Sequence, residues 1–156
     1  MAVNRGKLFE EQFKKDFLKI PDCSFDRLYD TTNGFRGITN ICDGIGYVKP
    51  YIYYIELKTI KGNTFPITNF TQYKKMVDKV GIPGVRSGVV IWFYDHDRII
   101  YVPTKTFTQL INDNKKSVNI RKSEEEGYRI INVPSVKKRI MLCGDYTVLL
   151  NLEDGD

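Results

Sequence analysis

The stretch Asp43-Gly44-Ile45-Gly46-Tyr47-Val48-Lys49-Pro50-Tyr51-Ile52-Tyr53-Tyr54-Ile55-Glu56-Leu57-Lys58 decides how this chain is read. Tyr51 to Ile60 is rich in aromatic and β-branched residues, the composition of a strand, and Ile38 to Tyr47 reads as its partner across Val48-Lys49-Pro50. Side chains alternate between the faces of a strand, so Tyr54, Glu56 and Lys58 share one face while Ile55 and Leu57 enter the opposite layer. Twelve residues separate Asp43 from Glu56, which lets the first strand fold back and set the two carboxylates side by side.

A carboxylate pair suits a hard divalent cation, and phosphodiester hydrolysis needs such a cation to neutralise developing charge and to acidify an attacking water. Lys58, on the same face, supplies a further positive charge for positioning. The competing account is a solvated strand with ordinary surface charges, because a Glu-x-Lys tripeptide is common by chance. The apolar run before Glu56 and the inward Ile55 and Leu57 argue instead for a sheet covered on both sides, where adjacent carboxylates without a cation are costly.

Outward from this stretch, Phe9, Phe13, Phe17 and Ile20 recur at helical spacing over Gly6 to Ile20, and Pro21 closes the helix. Phe70 to Val80 predicts a second helix, stopped by Gly81 and Pro83. Gly88 to Tyr94 and Arg98 to Val102 predict two strands joined by a turn at Asp95-His96-Asp97, and Thr104 to Asn112 a short helix capped by Thr104. Ser123 to Glu126 reads as a helical turn or a solvated charge run, and the remaining tail gives mixed signals. The order predicts an α/β fold, a central mixed β-sheet flanked by helices, in a single domain over residues 1–156.

Lys and Arg total 24 against 19 acids, a net charge of +5, which gives modest weight to a polyanionic partner. No apolar run is long enough to span a bilayer and the N-terminus lacks a secretory pattern, so a soluble cytoplasmic protein without a membrane partner is expected. Three cysteines, Cys23, Cys42 and Cys143, in no metal-binding spacing fit reduced thiols, with Cys42 beside the acids as a point where thiol reagents could inhibit. His96 between two aspartates fits a hairpin turn better than a metal site.

Gly6-Lys7-x-Phe9-Glu10 in the first helix, Asp43, Glu56-Leu57-Lys58, Phe65-Pro66, Asn69-Phe70 and Gln72 occur in an order that resembles the RecU-type Holliday-junction resolvases, in their phage-encoded form, within the PD-(D/E)xK nuclease superfamily. Weaker similarity runs through Lys116-Ser117, Arg121-Lys122 and Tyr128 to Asp145-Tyr146. The resemblance implies a restriction-endonuclease-like fold and a homodimeric hydrolase of DNA recombination and repair. Such an enzyme nicks two strands of a four-way junction with Mg2+, Mn2+ substituting.

By the resemblance, Asp43, Glu56 and Glu10 hold metal, Lys58 orients or activates water, and Gln72 joins the catalytic set. On the first helix Glu10 flanks the phenylalanine face whereas Glu11 points away, although an acid there also suits the helix dipole. Two departures stand out: Cys42 occupies the position of the motif's proline, and Asp22 to Asn40 is short for the projecting stalk of cellular RecU proteins. Lys7, Arg27, Arg36, Lys61, Lys74 and Lys75 lie beside the motifs and are candidate DNA phosphate contacts. Two alternatives are another nuclease of the superfamily, cutting flaps, ends or duplexes, and a catalytically silent DNA-binding accessory protein of recombination. A recombinase partner is left unspecified by the sequence.

Overall fold

Phe9, Phe13 and Phe17, four residues apart, draw one helical stripe into the core, and helix α1 spans Arg5–Phe17 with Asn4 capping its start through a hydrogen bond from Lys7 N to Oδ1 of 3.1 Å. This is a computed structural model, and it describes residues 2–29 and 39–156. Strands β1 (Cys23–Arg27), β2 (Gly44–Val48) and β3 (Tyr51–Ile60) form an antiparallel meander. β4 (Thr64–Pro66) and α2 (Tyr73–Met76) then cross to β5 (Val85–Phe93), which runs parallel to β3. β6 (Arg98–Pro103) returns antiparallel, and α3 (Thr104–Asn112), β7 (Ser117–Asn119) and α4 (Lys122–Glu125) lead to β8 (Ile131–Val133) at the far edge. The result is a mixed six-stranded sheet ordered β1-β2-β3-β5-β6-β8 with helices on its faces, the expected α/β class.

Two apolar layers sandwich the sheet. On one face Tyr53, Ile55 and Leu57 meet α1 through Phe9, Phe13 and Phe17. On the other, Val89, Ile91 and Phe93 meet Phe70, Met76 and Phe107. A hairpin of β9 (Ser135–Lys138) and β10 (Met141–Gly144), followed by a 3-10 turn at Tyr146–Asn151, packs beside α1 on the first face. Asp16 of α1, buried, accepts the Gly144 N–H at 3.0 Å and so ties the hairpin to the helix. Arg86, also buried, donates to the carbonyls of Leu149 and Leu152 at 2.7 Å each and stacks 3.7 Å from the Tyr51 ring, fastening the C-terminal segment.

Several local expectations are corrected. The strand expected from Ile38 begins at Gly44, although the hydrogen bonding reaches back to Asp43, and residues 30–38 lie outside the described part. The helix expected over Phe70 to Val80 is cut to Tyr73–Met76 between two 3-10 turns, because Ser87 Oγ takes the Met76 carbonyl at 3.1 Å and diverts it from the helical ladder. Thr104 does not cap α3: it is the first helical residue after Pro103, and its hydroxyl is 2.8 Å from that of Ser87. Among the described residues no helix is long and apolar enough to cross a membrane.

Candidate active site

The β2–β3 register pairs Gly44 with Ile55, and the next position out sets Asp43 beside Glu56. Asp43 is fixed on both its main-chain groups: its N–H donates to Ile55 O at 3.1 Å and its carbonyl accepts from Leu28 N at 2.8 Å. Its carboxylate is fixed as well, Oδ2 accepting the Leu57 N–H at 2.7 Å. Gly44 makes this approach feasible, since a Cβ there would run into the Phe25 ring.

Glu56 is only 4% exposed, on the face opposite Ile55 and Leu57 as alternation requires. Its Oε1 meets Lys58 Nζ at 3.2 Å, whereas its Oε2 is buried without a hydrogen-bond partner. Burial first, and then the neighbouring Asp43 carboxylate, push the Glu56 carboxyl up to about 7, against a smaller opposing pull from Lys58. An orphaned buried carboxylate oxygen beside a second carboxylate fits a divalent cation better than it fits a closed structural ion pair.

Glu10 comes to this cluster from α1 around the end of the sheet. Burial and the Asp43 charge raise its carboxyl above the ordinary range, and both Arg27 and Lys58 act on it from the other side. It forms an ion pair with Arg27 NH2, whose guanidinium also lies 5.1 Å from the Tyr29 ring centroid. Arg27, a candidate phosphate contact by its position in sequence, therefore sits inside the acidic cluster as the partner of Glu10. Among the described residues no three His, Cys, Asp or Glu side chains converge as a ready-made metal cluster, and Glu10, beside the Asp43–Glu56 pair, is held by Arg27.

Gln72 stands at the start of α2, on the sheet face that carries Glu56, and its carbonyl accepts from Lys75 N and Met76 N at 3.0 Å each while its side chain makes no capping bond. Lys75 reaches from α2 to Thr39, donating to its carbonyl at 2.6 Å and to its hydroxyl, so it braces the segment entering Asp43. Lys7, Lys61 and Lys74 are exposed, and Arg36 lies outside the described residues. The Cys42 thiol corrects the expectation of a reagent-sensitive cysteine: it is buried, donates to Gly44 O at 3.1 Å, and is pushed up to about 12 by burial, which leaves no thiolate to react near neutral pH. His96 lies in the β5–β6 turn, as expected. The Leu57 N–H and the Arg27–Glu10 pair escaped the sequence reading, the first because main-chain donors carry no residue signature and the second because it joins elements 17 positions apart. Compared with protein-family models the chain matches none, and no curated protein proved similar enough to count as a relative.

Proposed function

We propose that the protein is a divalent-metal-dependent DNA endonuclease of the PD-(D/E)xK kind, and that its substrate is a four-way junction, cut by paired phosphodiester hydrolysis in a homodimer. The observation that carries the reading is the orphaned Glu56 Oε2 beside an Asp43 carboxylate held by the Leu57 N–H, with Lys58 on the same strand face. Asp43 and Glu56 would hold Mg2+ or Mn2+, with Glu10 joining once released from Arg27. The bound cation supplies charge neutralisation at the phosphate and a more acidic water.

The chain's own residues do the rest. Asp43, clamped through both its backbone and its carboxylate, offers a preorganised anionic ligand that needs no rearrangement. Glu56, titrating near neutrality in the absence of a cation, becomes fully ionised when one binds. Lys58, about a quarter exposed, can turn its ammonium from Glu56 towards a water or a phosphate oxygen. No side chain of the cluster is an activated nucleophile, since Cys42 is buried and protonated, so the attacking group is water.

Cleavage of a synthetic four-way junction, a flap and a linear duplex of matched sequence, with and without magnesium, tests the reading. Paired nicks in the junction alone support it; preferential flap, end or duplex cutting makes the protein a different nuclease. Binding without cleavage by any divalent cation makes it a silent accessory protein. Light scattering should give about twice the 18.1 kDa chain mass.

A further inference from the structure

A cleft of about 260 Å³ lies on the sheet face opposite Glu56, between the start of α1 and the tip of the β9–β10 hairpin. Arg5, Trp92, Tyr94, Lys137, Arg139 and Ile140 line it. Trp92 pairs in register with Thr59, the residue after Lys58, so the cleft and the acidic cluster share the end of the sheet where β3 and β5 finish. The Trp92 indole is 3% exposed, and its Nε1–H is buried without an acceptor, a costly state for a strong donor. Arg5 stacks over the Tyr94 ring at 4.5 Å, and Tyr94 meets Trp92 edge-on at 6.1 Å.

The hairpin tip departs from what its turn would favour. Lys138 pairs with Met141, leaving Arg139-Ile140 as the two-residue connection. Arg139 takes φ +57°, where glycine or asparagine is the low-cost choice, and Ile140 is 64% exposed. A cation thus stands where folding alone prefers glycine, and a branched apolar side chain stands exposed beside it. Two acids also face the cleft, but Asp97 is neutralised by Lys137 at 2.7 Å and Asp95 accepts the Gly62 N–H at 3.1 Å. Arg5, Lys137 and Arg139 against Asp95 and Asp97 leave the lining with one net positive charge.

We infer that this cleft receives one nucleotide displaced from the stack at the branch point of the DNA, an inference that rests on the nuclease reading above. The base packs against Ile140 and the Arg5–Tyr94 stack, a base acceptor takes the Trp92 N–H, and Arg139 meets the adjoining phosphate. A paired base cannot bring its edge to a buried donor in so narrow a cleft, whereas an unstacked one can, and a four-way branch offers such nucleotides at low cost. Contact on both faces of the sheet end then places the scissile phosphate at Lys58 by fixing the branch rather than by reading sequence.

Trp92 is the chain's single tryptophan, so its emission reports on the cleft directly. A synthetic four-way junction and a blunt duplex of the same length should be titrated with calcium replacing magnesium. DNA anisotropy follows binding while tryptophan emission follows the cleft. The junction should quench the emission at saturation and the blunt duplex should not. The double variant Arg139→Gly/Ile140→Ser puts glycine at the positive-φ position and a polar residue at the exposed one, so it should fold at least as well as the parent. It should lose the quenching and bind the junction about tenfold more weakly, the scale of one lost base stack and one phosphate contact, with duplex affinity nearly unchanged. Ile140→Ser should show the same trend more weakly.

Unchanged emission on a junction that is bound, and that magnesium lets the protein cut, overturns the inference and leaves the nuclease reading standing. A junction neither bound nor cut overturns both. If the double variant halves the particle mass while the quenching persists, the tip is a protein interface and the inference is wrong.

Discussion

Asp43 Oδ2 accepts the main-chain N–H of Leu57 at 2.7 Å, so one carboxylate is anchored to the backbone between the two residues it has to work with, Glu56 and Lys58. The anchor needs an oxygen acceptor and does not need a charge. Asp43→Asn should therefore keep the fold, with stability at neutral pH equal to or above the parent's because a repulsion with Glu56 is removed, and should abolish cleavage. Asp43→Ala loses the acceptor as well and should cost about 1–2 kcal/mol in urea unfolding. Junction binding should survive in both, since removing negative charge does not weaken a polyanion's grip. Undiminished cleavage by Asp43→Asn would falsify the metal assignment.

Glu56 makes the cation-free protein sensitive to pH. Its folded-state value of about 7 lies above the ordinary 4.5, so between the two the native state keeps a proton that the unfolded state has released. Native stability is accordingly fully present below the unfolded value and falls as pH rises through about 7. Thermal midpoints in chelator should drop from about pH 5 to about pH 8, and Glu56→Gln should flatten that slope while eliminating cleavage. Magnesium should raise the midpoint of the parent more at the alkaline end, because there it meets an ionised pair. A parent and a Glu56→Gln variant with identical pH slopes would contradict the buried, coupled carboxyl.

The alternation in Tyr51 to Lys58 was enough to separate Glu56 and Lys58 from Ile55 and Leu57, because a strand buried on both faces leaves charge only where chemistry or an ion pair retains it. The α1 stripe was equally legible, since three phenylalanines at four-residue spacing admit one packing direction. What stayed hidden depends on contacts distant in sequence. Met76 ends α2 because Ser87 takes its carbonyl, Thr104 turns from capping to the same serine, and the tail after Gly127 becomes strands and a turn only because Asp16 and Arg86 hold it down. Within the site, the pair Asp43 and Glu56 could be read from spacing. The capture of Glu10 by Arg27 could not, as both residues carry equally good local explanations.

Lys58 should separate binding from chemistry. Its ammonium lies 3.2 Å from Glu56 Oε1 and has a short reach, so Lys58→Ala should bind junction DNA nearly as the parent does and cut it far more slowly. Loss of an ordinary phosphate contact changes the salt dependence of binding by about one unit of slope, whereas loss of a transition-state contact lowers the single-turnover rate at saturation. Affinity that collapses with an unchanged saturating rate would make Lys58 a binding residue.

Arg27 offers the sharpest contrast between a position in sequence and a position in space. Set beside the motifs on β1 it looks like a phosphate contact, yet its guanidinium is committed to Glu10, whose carboxyl Asp43 and burial already push up. A cation that holds Glu10 competes with any metal that would recruit the same carboxylate. Arg27→Ala should then free Glu10, increase the local negative charge, and lower the magnesium concentration needed for half-maximal cleavage. Arg27→Lys, which keeps the charge but not the planar fork, should fall between the two. The same substitutions should leave the salt slope of junction binding in chelator unchanged, because the side chain is turned inward to an acid and makes no phosphate contact. Measuring the magnesium midpoint and the salt slope on one junction decides the matter. A slope reduced by about one with an unaltered magnesium midpoint would return Arg27 to the DNA surface and leave Glu10 without a gatekeeper.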